Sequence, residues 1–185
     1  AKDGTLIPIS MVYRSDLKQT SPQDFLLTGY GAYGYPNDAY FSVPRLSLLD
    51  RGLIVGTAHV RGGGEFGKKW HEQGSLLKKE NSFTDFIACA DALFAADITE
   101  PNKLIIEGGS AGGLLIGAVV NRRPDLCRGA VLQVPFVDMM NTMLDPSLPL
   151  TIGEYEEWGN PRNPKYFKTI LGYSPYDQLK ECTYP

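Results

Sequence analysis

Leu104-Ile105-Ile106-Glu107-Gly108-Gly109-Ser110-Ala111-Gly112-Gly113-Leu114-Leu115-Ile116-Gly117-Ala118-Val119-Val120 carries the strongest organising signal in this 185-residue chain. Leu104 to Ile106 reads as an apolar strand, and an apolar helix is expected from about Gly112 to Asn121. Between them, residues 108–112 match G-x-S-x-G. A serine on a sharp strand-to-helix turn has its hydroxyl lifted clear of the backbone, and small neighbours let strand and helix approach closely. The helix N-terminus beneath offers free N–H groups and a positive dipole end to a developing oxyanion. Ser110 is therefore the candidate nucleophile, and the N–H of Ala111 the expected oxyanion donor. The alternative is a glycine-rich turn with an idle serine. The order strand, motif, helix favours the nucleophile.

The flanks repeat the alternation of strand and helix. Leu6 to Tyr13 and Asp24 to Tyr30 read as strands, Val43 to Arg51 as a short helix, and Gly52 to Ala58 as a buried strand. Over Ser82 to Asp97, the residues Phe83, Phe86, Ile87, Ala90, Leu93 and Phe94 line one helical face, and Ser82 with Asp85 resembles a capping box. Gly129 to Val134 is a further strand, and short helices are expected near Asn163 to Leu171 and Tyr176 to Lys180. Strands alternating with helices imply an α/β fold, a mostly parallel sheet with helices on both faces. No internal boundary is visible, so residues 1–185 are read as one unit.

Composition excludes several classes of function. A net charge of −3 makes no electrostatic case for nucleic acid or an anionic membrane, and no apolar run approaches the ~20 residues of a membrane helix. Ala1 to Thr5 does not look like a secretory signal, so a cytoplasmic location is expected. Cys89, Cys127 and Cys182 are widely spaced and odd in number, which fits free thiols better than zinc or a disulfide framework. No metal or other cofactor is expected.

Gly29-Tyr30-Gly31-Ala32-Tyr33-Gly34 matches G-x-G-x-x-G, so nucleotide binding is a rival reading. That fingerprint needs a helix opening directly on the motif, whereas Tyr35-Pro36-Asn37-Asp38 reads as a turn. The loop after an early strand is instead where α/β-hydrolases place a second oxyanion donor. The Tyr30 hydroxyl is a candidate for it, with simple packing in a glycine-rich turn as the alternative.

Four stretches carry a resemblance. They are residues 30–34, His59-Val60-Arg61-Gly62-Gly63-Gly64-Glu65-Phe66-Gly67, residues 108–113, and Leu148 to Thr151 continuing through Glu154-Tyr155-Glu156-Glu157-Trp158-Gly159-Asn160-Pro161. On these the chain resembles part of the catalytic domain of the prolyl oligopeptidase family, and within it the oligopeptidase B group. The resemblance implies an α/β-hydrolase fold and a serine peptidase that cleaves short peptides after Arg or Lys. It carries over Ser110 as nucleophile, with Tyr30 and Ala111 as oxyanion donors. It also implies that Glu154 and Glu156 recognise the basic P1 side chain, against a default reading of these and Glu157 as a solvated acidic face. A carboxylate suits that task, because a guanidinium entering a partly desolvated pocket needs a charged partner.

A triad requires a base and a carboxylate that orients it, in the chain order serine, acid, histidine. Both histidines, His59 and His71, precede Ser110 and read as packed or hydrogen-bonded residues. The turn Arg61 to Gly64 reads as structural. The resemblance places the family's Asp and His beyond the point matching Pro185, together with the last sheet strands, and an N-terminal β-propeller before the domain. The chain is thus expected to be a fragment, poorly active or inactive alone. An esterase of the same fold and a non-catalytic, hydrolase-like binding protein are the alternatives.

Overall fold

Strands Ile9–Val12 (β1), Phe25–Thr28 (β2), Ile54–Ala58 (β3), Leu104–Gly109 (β4) and Gly129–Gln133 (β5) hydrogen-bond in the order β1-β3-β2-β4-β5. The structure is a computed structural model and describes residues 1–16 and 22–185. β1 runs antiparallel to β3, and the other three pairs are parallel. Along β4, Leu104, Ile106 and Gly108 are buried while Ile105, Glu107 and Gly109 are only half-buried. This period of two turns the two residue sets to opposite faces of the sheet.

One face is thickly covered. Helices Glu80–Ala95 (α3) and Ala111–Arg122 (α4) pack on each other, and α4 packs on β4 and β5. Phe25, Leu27, Leu104 and Ile106 from the sheet meet Phe83, Phe86, Leu114, Leu115 and Ile116 there, all essentially inaccessible. The other face carries helix Val43–Asp50 (α1), whose Leu49 packs on Leu26 and Val55. Beside α1 lies an open hollow of about 830 Å³, lined by Thr28, Thr57, Glu107 and Gln133 among others. Helices therefore cover both faces, but unequally.

Four further α-helices occur among the described residues: Lys68–Glu72 (α2), Met139–Leu144 (α5), Thr151–Trp158 (α6) and Pro164–Leu171 (α7). The sequence reading anticipates α7, whose Asn163 side chain caps the Lys165 N–H at 3.0 Å. It overlooks α2, α5 and α6. The end of α6 is written in the sequence nonetheless, since Gly159 follows it at φ 92°, a conformation suited to glycine.

Two local expectations are corrected. Ser82 and Asp85 do not cap α3, which begins at Glu80 with no side-chain cap. Both are fully buried: the Ser82 hydroxyl donates to the Arg61 carbonyl at 2.6 Å, and Asp85 takes the Arg61 guanidinium on both oxygens. Satisfying a buried arginine outweighs capping, because an unpaired internal charge costs far more than a lost cap. Tyr176 to Lys180 forms a turn rather than a helix. Gln178 N–H closes it on the Ser174 carbonyl, and the Ser174 hydroxyl donates to the Asp177 carboxylate. No helix among the described residues is long and apolar enough to cross a membrane.

The strand order sets the site. β2 lies between β3 and β4, so the chain leaves it through α1 toward one side and crosses back through α3 to the other. Such a reversal opens a crevice at the carboxyl ends of the strands. The loop after β2 and the turn after β4 meet there.

Candidate active site

Ser110 sits between β4 and α4 at φ 54° and ψ −118°. A non-glycine residue with positive φ is strained, and such strain persists only where the surroundings enforce it. The enforcement is visible. Ser110 N–H donates to the Gln133 carbonyl at 2.9 Å, while its own carbonyl accepts from Gly113, Leu114 and Phe136. A Cβ on Gly108 would stand 2.2 Å from the Gly112 carbonyl oxygen, and one on Gly112 would stand 2.6 Å from that of Gly29. A Cβ on Gly109 would meet nothing closer than 3.6 Å. The outer glycines of G-x-S-x-G are thus demanded by close backbone approach, and the exposed serine is presented at the crevice mouth. Ala111 opens α4, so its N–H is among the first-turn donors that find no intrahelical acceptor.

Tyr30 lies on the loop after β2, half-buried, with the Tyr35 ring against it at 5.6 Å in an edge-on arrangement. Burial raises its phenol above the usual tyrosine pKa, and the negative charges of Glu154 and Glu157 add to the rise. The neighbouring Ser110 hydroxyl opposes it. The hydroxyl therefore stays protonated at neutral pH, the form that can donate to an oxyanion. The fold brings Ser110, Ala111 and Tyr30 together.

Glu154 approaches the same crevice from α6. Its Oε2 accepts from the Tyr33 hydroxyl and from Trp158 Nε1, each at 2.7 Å. Burial first, and then the bond to Glu154, hold the Tyr33 phenol well above its usual range. Glu156 projects about 200° away around the helix, exposed and without a hydrogen-bond or ion-pair partner among the described residues. Glu157 is buried and accepts from, or pairs with, His71 Nε2 at 2.7 Å. The three carboxylates thus occupy three environments. Tyr33, Trp158 and the His71–Glu157 pair escape the sequence reading, although Trp158 lies within a stretch that carries the resemblance.

Neither histidine serves Ser110. His59 bridges Ser10 Oγ (2.7 Å) and Glu65 Oε1 (3.1 Å), and His71 is held by Glu157. Ser10-His59-Glu65 has the residue types of a triad. Ser10, however, lies within a regular strand and lacks the strained turn and helix N-terminus that present Ser110. Arg61 is buried, and beyond Asp85 it also reaches Asp3 at 2.6 Å. It locks the turn after β3 onto α3, which gives that turn its structural role.

The glycine-rich loop opens on no helix: after Gly34 the chain runs irregularly to Val43, as a phosphate-cradling motif would not. Residues 39–185 match the model of the prolyl oligopeptidase family. The chain belongs to that family. The dipeptidyl aminopeptidase BI of Pseudoxanthomonas mexicana is 47% identical over all of this chain, and protease 2 of Moraxella lacunata is 45% identical. Oligopeptidase B from Trypanosoma brucei, solved with covalently bound antipain, superposes with a TM-score of 0.97 at 51% identity over the whole chain. Oligopeptidase B from Leishmania major gives the same TM-score at 53% identity. The fold is thus the α/β-hydrolase fold of this family. The chain spans about a quarter of the length of these relatives, 26% of the first and 27% of the second.

Proposed function

We propose that the chain is the nucleophile-bearing part of the catalytic domain of a serine oligopeptidase that cleaves short peptides after Arg or Lys. The observation that carries this reading is Ser110, held at positive φ on the β4–α4 turn with the Tyr30 phenol beside it. Ser110 Oγ attacks the scissile carbonyl carbon as its proton passes to a base. The Ala111 N–H and Tyr30 hydroxyl take the resulting oxyanion, the base returns its proton to the leaving amine as the C–N bond breaks, and water later hydrolyses the acyl-enzyme. With both histidines held elsewhere, the imidazole and its carboxylate come from polypeptide outside these residues. A β-propeller domain in the same polypeptide would restrict access to short substrates. On α6, Glu154 at the crevice wall and the solvent-exposed Glu156 are the carboxylates assigned to a basic P1 side chain.

The test is to isolate the polypeptide that carries this segment at its natural length and assay Arg, Lys and neutral P1 amides beside a simple ester. Cleavage of the Arg and Lys amides, abolished by Ser110→Ala, is expected. Ester turnover alone would make the protein an esterase. Absence of any Ser110-dependent turnover would point to a non-catalytic binding protein, the reading favoured by the commitment of both histidines away from Ser110. The 185-residue chain by itself is expected to show at most the small residue of catalysis that an oxyanion hole supplies without a base.

A further inference from the structure

Lys79 is a lysine with only 2% of its surface exposed, placed between the turn Leu76–Lys78 and α3. Its Nζ donates to the carbonyl of Gly31, the residue directly after Tyr30. The same Nζ stands 4.9 Å from the centroid of the Trp158 ring, a cation over an aromatic face. Trp158 in turn holds Glu154 through its indole N–H, and Glu157 lends Lys79 a compensating negative charge. One buried ammonium therefore touches the loop that carries the oxyanion tyrosine and the helix that carries the acidic pair.

We propose that Lys79 is a positioning residue that fixes the Tyr30 loop and helix α6 relative to one another, coupling transition-state stabilisation to recognition of the basic side chain. The proposal rests on the peptidase reading for its kinetic consequence, but its structural content does not. Burying an ammonium is expensive unless every contact is satisfied. Here one hydrogen bond to the Gly31 carbonyl, the Trp158 ring face and the Glu157 charge offset part of that cost, so the charge is tolerated only while loop and helix keep their spacing. Gly31 permits the approach: at φ 71° it takes a conformation that side chains avoid, and a Cβ there would lie 2.6 Å from Val60 Cγ2. Lys79 takes no part in proton transfer, since its partners lead to α6 and the loop rather than to Ser110.

NMR of the 185-residue chain tests the structural content. The chain has two tryptophans and hence two indole N–H signals, assignable by single Trp→Phe substitutions. Lys79→Met is expected to shift the Trp158 indole and the Tyr30 ring carbon signals together and to speed exchange of the Trp158 N–H. The Trp70 indole, bonded to the Val60 carbonyl, monitors global folding. If Lys79→Met does not fold, Lys79→Gln replaces it: its amide, one atom shorter, donates more weakly toward the Gly31 carbonyl and brings no charge to the Trp158 face. It should then perturb Trp158 more than Tyr30. A folded variant in which neither signal moves overturns the proposal. In the active polypeptide, Lys79→Met should lower kcat for Arg amides on the order of 10²-fold, as a misplaced donor does. It should add little to the loss caused by Tyr30→Phe, because both act through one group. Additive losses would overturn the coupling, whereas a wild-type protein without turnover would overturn the peptidase reading and leave the NMR result standing.

Discussion

The Tyr33 hydroxyl donates to Glu154 Oε2 at 2.7 Å, joining the loop after β2 to a helix 121 residues further along the chain. Trp158 Nε1 shares that oxygen, and the Tyr33 and Trp158 rings meet edge-on at 5.5 Å. The wall beside Tyr30 is thus a closed circuit of hydrogen bonds and aromatic contacts in which Glu154 is already oriented. Glu156, two residues on, is not.

This difference predicts unequal effects of neutralisation. A half-buried carboxylate acts through a lower effective dielectric than an exposed one, so Glu154→Gln should weaken cleavage after Arg more than Glu156→Gln. The loss from Glu156→Gln should also fade with added salt, since an exposed charge is screened beyond roughly 10 Å at 0.1 M. kcat/KM for Arg and neutral P1 amides at low and high ionic strength would show both. Equal, salt-independent losses would contradict the placement of the two residues.

The elbow predicts a contrast between neighbouring glycines. Gly112→Ala drives a methyl group to within 2.6 Å of a backbone oxygen that cannot swing away, so Gly29 or α4 must shift. Gly109→Ala meets only ordinary contacts. Urea unfolding should show Gly109→Ala within about 0.5 kcal/mol of wild type and Gly112→Ala lower by roughly 2 kcal/mol or more.

The Arg61–Asp85 pair predicts a large stability cost. Asp85 is fully buried and meets the Arg61 guanidinium with two bonds and the Arg61 N–H with a third. Asp85→Asn leaves a buried guanidinium without its carboxylate, and a loss of about 3 kcal/mol is expected in urea unfolding. A change below about 1 kcal/mol would mean that Asp3 alone can satisfy Arg61.

Lys79 predicts a pH signature. Burial pushes its pKa down from 10.5 to about 8, with the Glu157 charge opposing. Between those values the unfolded chain binds more protons than the folded one, so stability contributed at this site rises with pH from about 8 toward 10.5. Below about pH 8 the folded state carries the buried charge at a cost, and the gain is absent. Comparing urea midpoints of wild type and Lys79→Met from about pH 7 to pH 10 isolates the contribution. The wild type should gain relative to the variant across that range, and parallel curves would contradict a buried, depressed lysine.

Ser110, its strand, its helix and the parallel sheet were legible in the sequence because each rests on local rules. Period-two and period-3.6 patterns announce burial within a few residues, and a strained turn between strand and helix demands small neighbours. The placement of Tyr30 was legible only as a loop position. What the sequence could not decide is which polar groups meet across the chain. Ser82 and Asp85 have the spacing of a cap, yet they serve a buried arginine 24 and 21 residues away from Asp85 and Ser82 respectively. Glu154, Glu156 and Glu157 read as one acidic run, but helix α6 turns them to a hydrogen-bonded wall, to solvent and, for the buried Glu157, to the half-buried His71. Spacing fixes direction around a helix, but desolvation and partner geometry assign each charge its role, and both arise only when distant segments pack.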